Sequence, residues 1–525
     1  MKKNGNFKVT IPTTIVIFGV TGDLSRRKLL PALLDLFVKG CLPPAFNLVG
    51  FSRRDWDDAT FKQFVRDVFS QKRRHPKRTV ERFIRHLSYQ YGQLGDVESY
   101  QTLSQKLDAI DAKGKTCANK LFYLAVPPDL YGTIFDHLAQ SKLVIGCHDQ
   151  NGQSGGSPRF VKSNRRVETG SPRSGVGAGW TKILVEKPFG RDIATAQQLD
   201  GKLGSLFDEA QIFRIDHYLA KETIQNILMF RFSNALFEPI WNNKYIERVE
   251  IKLHETLGVE GRGNFYQDVG ALRDVGQNHI LQMLAAIAME EPGKPDSAVI
   301  RSQRVRALQA LRPIDGSNIA RYAVRGQYAG FKREPDIPNS STTETYFRLE
   351  AYVDRPRWQG VPFFLESGKK MQEEKTEITI FFRKTICSLC PPEVDQSKLQ
   401  NVLTFRVQPD EGIKIVFWAK KPGLTLDLEP TTLAFTYREG LTEKRLPDAY
   451  EQVLFDCIKG DQMRFISTEE VQASWNFITP IVRNWKKTKL YQYQPGSLGP
   501  NLSTDKSKTK KQKAKVQLKG QSFEL

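Results

Sequence analysis

Thr13-Thr14-Ile15-Val16-Ile17-Phe18-Gly19-Val20-Thr21-Gly22-Asp23-Leu24 is the stretch whose reading decides the fold. Its first half is an unbroken run of apolar and β-branched residues. Strands buried on both faces of a parallel sheet look like this, because covering helices leave no face for polar side chains. Two glycines then permit a tight turn, and a helical stretch follows from about Asp23 to Phe37. A second apolar run, Asn47–Phe51, completes a βαβ unit. Leu121–Val126 and Lys182–Val185 read as further parallel strands. Ile193, Ala196, Leu199, Leu203 and Leu206 recur with the 3.6-residue period of a helix over Ile193–Phe207.

The pattern changes after about residue 245. Val249, Ile251 and Leu253 alternate with Glu250, Lys252 and His254, and Phe347, Leu349, Ala351 and Val353 alternate likewise. Leu403, Phe405 and Val407 lead through QPDEG to Ile413, Ile415 and Phe417, the pattern of an antiparallel hairpin. The expected fold is therefore an α/β, Rossmann-like N-terminal domain over 13–215, followed by an α+β domain with a large, mostly antiparallel sheet over 216–500. Residues 146–177 are rich in Gly, Ser, Asn and Arg without periodicity and read as a flexible insertion. Residues 501–525 read as a basic, disordered tail.

The chain has 525 residues and a net charge of +20. Three segments carry most of that excess. Residues 72–86 hold seven bases and one acid, 501–525 seven lysines and two acids, and 144–178 five bases and two acids. The remainder is nearly balanced, which suits a basic appendage or an anionic substrate better than a nucleic-acid-binding fold. No apolar run is long enough to span a membrane. The basic, then apolar N-terminus runs into the glycine turn and not a cleavage site, so it reads as a first strand and no signal peptide. Six cysteines are too few for a disulfide scaffold. Cys387 and Cys390 form a lone CxxC with no second ligand pair nearby, so they read as ordinary cysteines with no metal, and the expected location is cytoplasmic.

Gly19, Val20, Thr21, Gly22, Asp23 and Leu24 sit at the first βα turn, where backbone amides and a helix N-terminus can hold a pyrophosphate. A plain strand–helix turn would look the same. At the end of the second strand, nucleotide folds that hold a ribose 2′-OH usually place an acid. Here Arg53 and Arg54 stand instead, which suits a 2′-phosphate and hence NADP. Lys187, in Glu186-Lys187-Pro188, follows a strand at the ligand-binding end of such a sheet, though a surface lysine is equally consistent. Arg214, Asp216, His217, Tyr218, Lys221 and Glu222 form the densest polar cluster, costly to bury without purpose. Asp274 and His279 lead into the apolar stretch Ile280–Met289, where a structural histidine is the plainer reading.

GVTGDLSRRKLLPAL, FYLAVPP, VEKPFGRD, RIDHYLAKE, GVEGRG, RDVGQNH and ESGKKM follow one another in an order that resembles the glucose-6-phosphate dehydrogenases, from about residue 13 to about 500. The resemblance implies oxidation of β-D-glucose 6-phosphate to the δ-lactone with NADP⁺ as acceptor. Gly19 to Leu24 would hold the pyrophosphate and Arg53 the 2′-phosphate. Lys187 would lie between nicotinamide and sugar. His217, Tyr218 and Lys221 would bind the sugar phosphate, while Glu255, Asp274 and Lys369 would contact the sugar. His279 would be the base and Asp216 its orienting partner. The resemblance also implies a homodimer or homotetramer built through the second-domain sheet. The rival readings are a related sugar or sugar-phosphate dehydrogenase and, from another class, a nucleic-acid-binding protein.

Three features depart from the family pattern. Ala220 replaces a glycine in the RIDHYLxKE motif, Ser52 replaces an alanine before Arg53, and the 146–177 insertion and lysine-rich tail have no counterpart. If Arg53 reads the 2′-phosphate, Arg53→Ala should raise KM for NADP⁺ by about 10- to 100-fold, the worth of one charge-assisted hydrogen bond. KM for NAD⁺ should hardly move. Equal losses with both cofactors, in initial-rate measurements, would assign the contact elsewhere.

Overall fold

A computed structural model describes residues 11–72, 74–145, 179–390, 394–437 and 446–502. The insertion expected at 146–177, and the tail from 503 onward, lie outside these. The chain divides into two compact units. The first holds the residues up to Lys187, Gln198–Ile215 and Asp448–Ile466; the second holds Pro188–Gln197, Asp216–Pro447 and the chain from Ser467.

Within the described residues, the first unit is built on a seven-stranded sheet. Strands β1 (Thr13–Phe18), β2 (Phe46–Ser52), β3 (Leu87–Tyr91), β4 (Asn119–Leu124), β5 (Thr181–Val185) and β6 (Ile212–Ile215) all pair in parallel, in the order β6-β5-β4-β1-β2-β3. Every residue of β1, β4, β5 and β6 is buried, as the apolar runs require. The seventh strand, Phe465–Ile466, pairs antiparallel with β6. It belongs to Asp448–Ile466, a stretch the sequence reading placed wholly in the second domain. That return is held by the helix Ala449–Lys459, whose Cys457 carbonyl accepts from the buried Lys182 amine of β5 at 2.8 Å.

The second unit carries a nine-stranded sheet. Its central strand, Ile246–His254, has Lys375–Phe382 antiparallel on one side and Phe363–Gly368 parallel on the other. The hairpin Val402–Gln408 and Gly412–Lys420 continues one flank, as expected, and ends in Leu428–Thr436. Tyr346–Ala351, Ala323–Tyr328 and Leu490–Tyr493 complete the other. Val249, Ile251 and Leu253 are all buried, which fixes the sheet face predicted from their alternation. The buried Arg304–Glu470 pair, 2.7 Å apart, joins the helices Ser297–Gln309 and Thr468–Asn484.

Cys387 and Cys390 are not two separate thiols, as the sequence reading had them. Their Cα atoms lie 5.4 Å apart and the sulfurs are joined in a disulfide. No helix among the described residues is long and apolar enough to cross a membrane.

Candidate active site

In the first unit the glycine turn is forced by close packing. Gly19 has φ +79°, and a Cβ there would meet the Ala125 carbonyl oxygen at 2.4 Å. The amides of Gly19 and Val20 donate to the Phe51 carbonyl, and that of Gly22 donates to the Gly19 carbonyl. Val20 is fully buried, so its side chain packs beneath the turn. The first helical hydrogen bond runs from the Arg26 amide to the Gly22 carbonyl, which leaves the amides of Asp23 and Leu24 among the orphan donors of a helix start. The Asp23 carboxylate pairs with Arg27 at 3.2 Å. Thr21 donates to the Ser52 hydroxyl at 3.2 Å.

Arg53 and Arg54 follow β2 and are exposed, but they differ. The Arg54 guanidinium lies over the Trp56 ring at 4.9 Å. Arg53 has no hydrogen-bond or ion-pair partner among the described residues. Such a guanidinium and the helix-start amides are donors that could hold a 2′-phosphorylated dinucleotide. Lys187 lies two residues past β5. Its neighbour Glu186 accepts from the Tyr123 hydroxyl at 2.5 Å and, through its carbonyl, from Tyr131 at 3.1 Å.

In the second unit, residues remote in sequence converge. His279 Nδ1 lies 2.7 Å from Asp216 Oδ1, both groups buried, across a separation of 63 residues. The Tyr218 amide donates to the same carboxylate oxygen at 2.8 Å. The Tyr218 ring packs against the imidazole with centroids 4.3 Å apart, and burial pushes its phenol well above the usual value. The Lys221 ammonium donates to Gln408 Oε1 at 2.7 Å, and Gln408 Nε2 donates to the Tyr218 hydroxyl at 3.3 Å. His217 is half-buried in the turn that carries these residues.

A second cluster forms where two parallel strands end together. Gly368 is in register with His254, so Glu255 and Lys369 emerge side by side. The buried Lys369 ammonium lies 2.6 Å from Glu255 Oε2 and 4.0 Å from Asp274 Oδ2. Its position is fixed through the main chain: the Lys369 amide donates to Thr345 and its carbonyl accepts from the Tyr493 hydroxyl at 2.7 Å.

Asp274 and His279 do not stand in an ordinary α-helix. Leu272–Ile280 is a π-helix, which passes into the α-helix Leu281–Ala288. Gly270 introduces it with φ +71°, and a Cβ there would sit 2.5 Å from the Glu344 carboxylate. Glu344 accepts from the Leu272 amide at 3.1 Å, and its burial raises its pKa above the ordinary carboxylate value. π-helical turns often mark functional sites.

Asp216, Tyr218, Lys221, Glu255, Asp274, His279 and Lys369, all singled out from the sequence, thus have defined polar partners here. Gln408 and Tyr123 were missed. Gln408 sits beside the turn of a hairpin and is 187 residues from Lys221, so no local pattern marks it. Tyr123 was visible only as one aromatic within an apolar strand.

A family model described as glucose-6-phosphate dehydrogenase, NAD binding domain, matches residues 16–226, and one described as its C-terminal domain matches 228–515. The glucose-6-phosphate 1-dehydrogenase of Borreliella burgdorferi is 38% identical, covering 93% of this chain and 95% of that protein. That of Chlamydia muridarum is 36% identical, covering 93% and 94%. A solved glucose-6-phosphate dehydrogenase in complex with glucose-6-phosphate matches with TM-score 0.83 at 29% identity, over 99% of this chain and 100% of that one. The Mycobacterium avium enzyme gives 0.74 at 28% identity, over 93% and 95%. The chain belongs to the glucose-6-phosphate dehydrogenase family.

Proposed function

We propose that the chain oxidises β-D-glucose 6-phosphate to 6-phosphoglucono-δ-lactone with NADP⁺, and that His279 is its base. The observation that carries the assignment of the base is the 2.7 Å contact between His279 Nδ1 and Asp216. A carboxylate at Nδ1 holds the proton there and leaves the Nε2 lone pair to accept the proton of the C1 hydroxyl. The same carboxylate stabilises the imidazolium as it forms. Bound NADP⁺ supplies the hydride acceptor, held by the Gly19–Leu24 turn, Arg53 and Lys187.

His217, Tyr218 and Lys221 take the sugar phosphate in this reading. Binding energy from that remote dianion positions C1, where only the transition state rewards it. Glu255 and Asp274 accept from sugar hydroxyls, while Lys369 holds both carboxylates in place. Initial rates with glucose 6-phosphate, galactose 6-phosphate and glucose, each with NADP⁺ and NAD⁺, test the assignment. Glucose 6-phosphate with NADP⁺ should give the highest kcat/KM. A higher value for either other sugar would favour a related dehydrogenase.

His279→Asn should lower kcat by about 10²- to 10⁴-fold, the usual range for general-base catalysis, with little change in substrate Kd. Asp216→Asn should act in the same way. The double variant should cost much less than the product of the single effects, because the two act as a unit. Replacing His217 or Lys221 should chiefly weaken glucose 6-phosphate binding. Multiplicative losses at 216 and 279 would break the dyad.

We also propose a homodimer or homotetramer formed through the second-unit sheet. Its outer strand Leu428–Thr436 leaves Leu433 and Phe435 61% and 49% exposed. Light scattering should give two or four chain masses, and a single chain mass at micromolar concentration would contradict this.

A further inference from the structure

Ser52 ends β2 with its side chain buried. Its hydroxyl lies inside a chain of three. Thr21 Oγ1 donates to Ser52 Oγ at 3.2 Å, the Ser52 and Tyr89 hydroxyls are 2.7 Å apart, and Tyr89 reaches the Arg54 carbonyl at 2.6 Å. Each hydroxyl has one proton to give. With the Tyr89 proton on the Arg54 carbonyl, the Ser52 proton goes to Tyr89 and the Thr21 proton to Ser52. Burial pushes the Tyr89 phenol above its ordinary value.

The same chain closes on the backbone from two sides. The Arg54 amide approaches Ser52 Oγ at 3.4 Å, while the Arg54 carbonyl is held by Tyr89. The Arg54 side chain is in turn stacked on Trp56. Arg53 is therefore fixed between two anchored residues, with its own guanidinium unspent. We propose that the Thr21–Ser52–Tyr89 hydroxyl chain is a positioning device for Arg53, and that Ser52 and Tyr89 thereby help to set the preference for a 2′-phosphorylated cofactor. This rests on the reading of Arg53 as the 2′-phosphate contact. A loop already ordered loses less freedom on binding, so the benefit goes to the ligand that uses the loop. NAD⁺ does not use it.

Ser52→Ala leaves Tyr89 its acceptors at the Arg54 and Ser52 carbonyls, so no fully buried hydroxyl is stranded. Tyr89→Phe cuts the chain at its other end and gives an independent second variant. Titration calorimetry of the full-length protein with NADP⁺ and with NAD⁺, without sugar, reads the effect directly. Each variant should weaken NADP⁺ by about three- to tenfold, the worth of one ordinary hydrogen bond, and leave NAD⁺ within about twofold. The double variant should cost little more than either single one. Equal weakening of both cofactors would make the chain merely structural and overturn the proposal, as would unchanged binding of NADP⁺. Tighter NADP⁺ binding would overturn it in another way, by showing that Ser52 withholds the Thr21 hydroxyl from the phosphate. Arg53→Ala in the same titration separates the two levels. If it spares NADP⁺, the reading of Arg53 fails; if it is selective while Ser52→Ala and Tyr89→Phe are not, only the positioning role fails.

Discussion

A carboxylate buried to 1% exposure must be matched or it will not stay ionised, and Asp216 is matched by two donors. The Tyr218 amide comes from its own turn and the His279 imidazole from a helix 63 residues away. Much of the second unit serves that meeting. The chain must turn at once after Asp216, and the π-helix bearing His279 must start at Leu272, just past the break at Gly270. Glu344 secures that helix start from a loop, with its carboxylate on the Leu272 amide. An acid at a helix N-terminus also meets the positive end of the helix dipole.

The Glu255–Lys369 and Thr21–Ser52 contacts rest on one geometric device. Parallel strands finish at the same end of a sheet, so residues just past them become neighbours however far apart they lie in sequence. Glu255 and Lys369 meet because Gly368 is level with His254. Thr21 and Ser52 meet because Phe18, the last residue of β1, is level with Phe51, the next to last of β2. The second sheet is mostly antiparallel, yet its site cluster sits at one of its parallel pairs.

This device also explains what could be read from the sequence. β1, β2 and β5 were legible as apolar runs because burial on both faces leaves a strong local pattern. The hairpin from Val402 was legible through alternation and a turn of suitable composition. The motifs marked His279, Asp216 and Lys369 as chemistry, and the structure supplies their partners. By contrast, Phe465–Ile466 is too short to show any period, so its return to the first sheet could not be seen. Gln408 looked like a turn residue because its role depends on Lys221 and Tyr218, not on its neighbours. Cys387 and Cys390 read as ordinary thiols when weighed against a metal site, and their spacing alone did not mark the disulfide that joins them.

The π-helix could not be told from an α-helix by its apolar residues, yet the distinction has a geometric consequence. Asp274 and His279 are five positions apart. At 3.6 residues per turn they would point roughly 140° away from each other. At about 4.4 residues per turn, where each bond spans five positions, the angle falls to roughly 50°. The widened coil thus brings the Asp274 carboxylate and the His279 imidazole toward one side of a single helix. Seen this way, Leu272–Ile280 behaves like an α-helix carrying extra residues in its coil. Removing one residue from it would restore α geometry while keeping composition and hydrophobicity almost intact. Where that residue lies between Asp274 and His279, the two stand four positions apart, roughly 40° at 3.6 residues per turn, and still share one side of the helix.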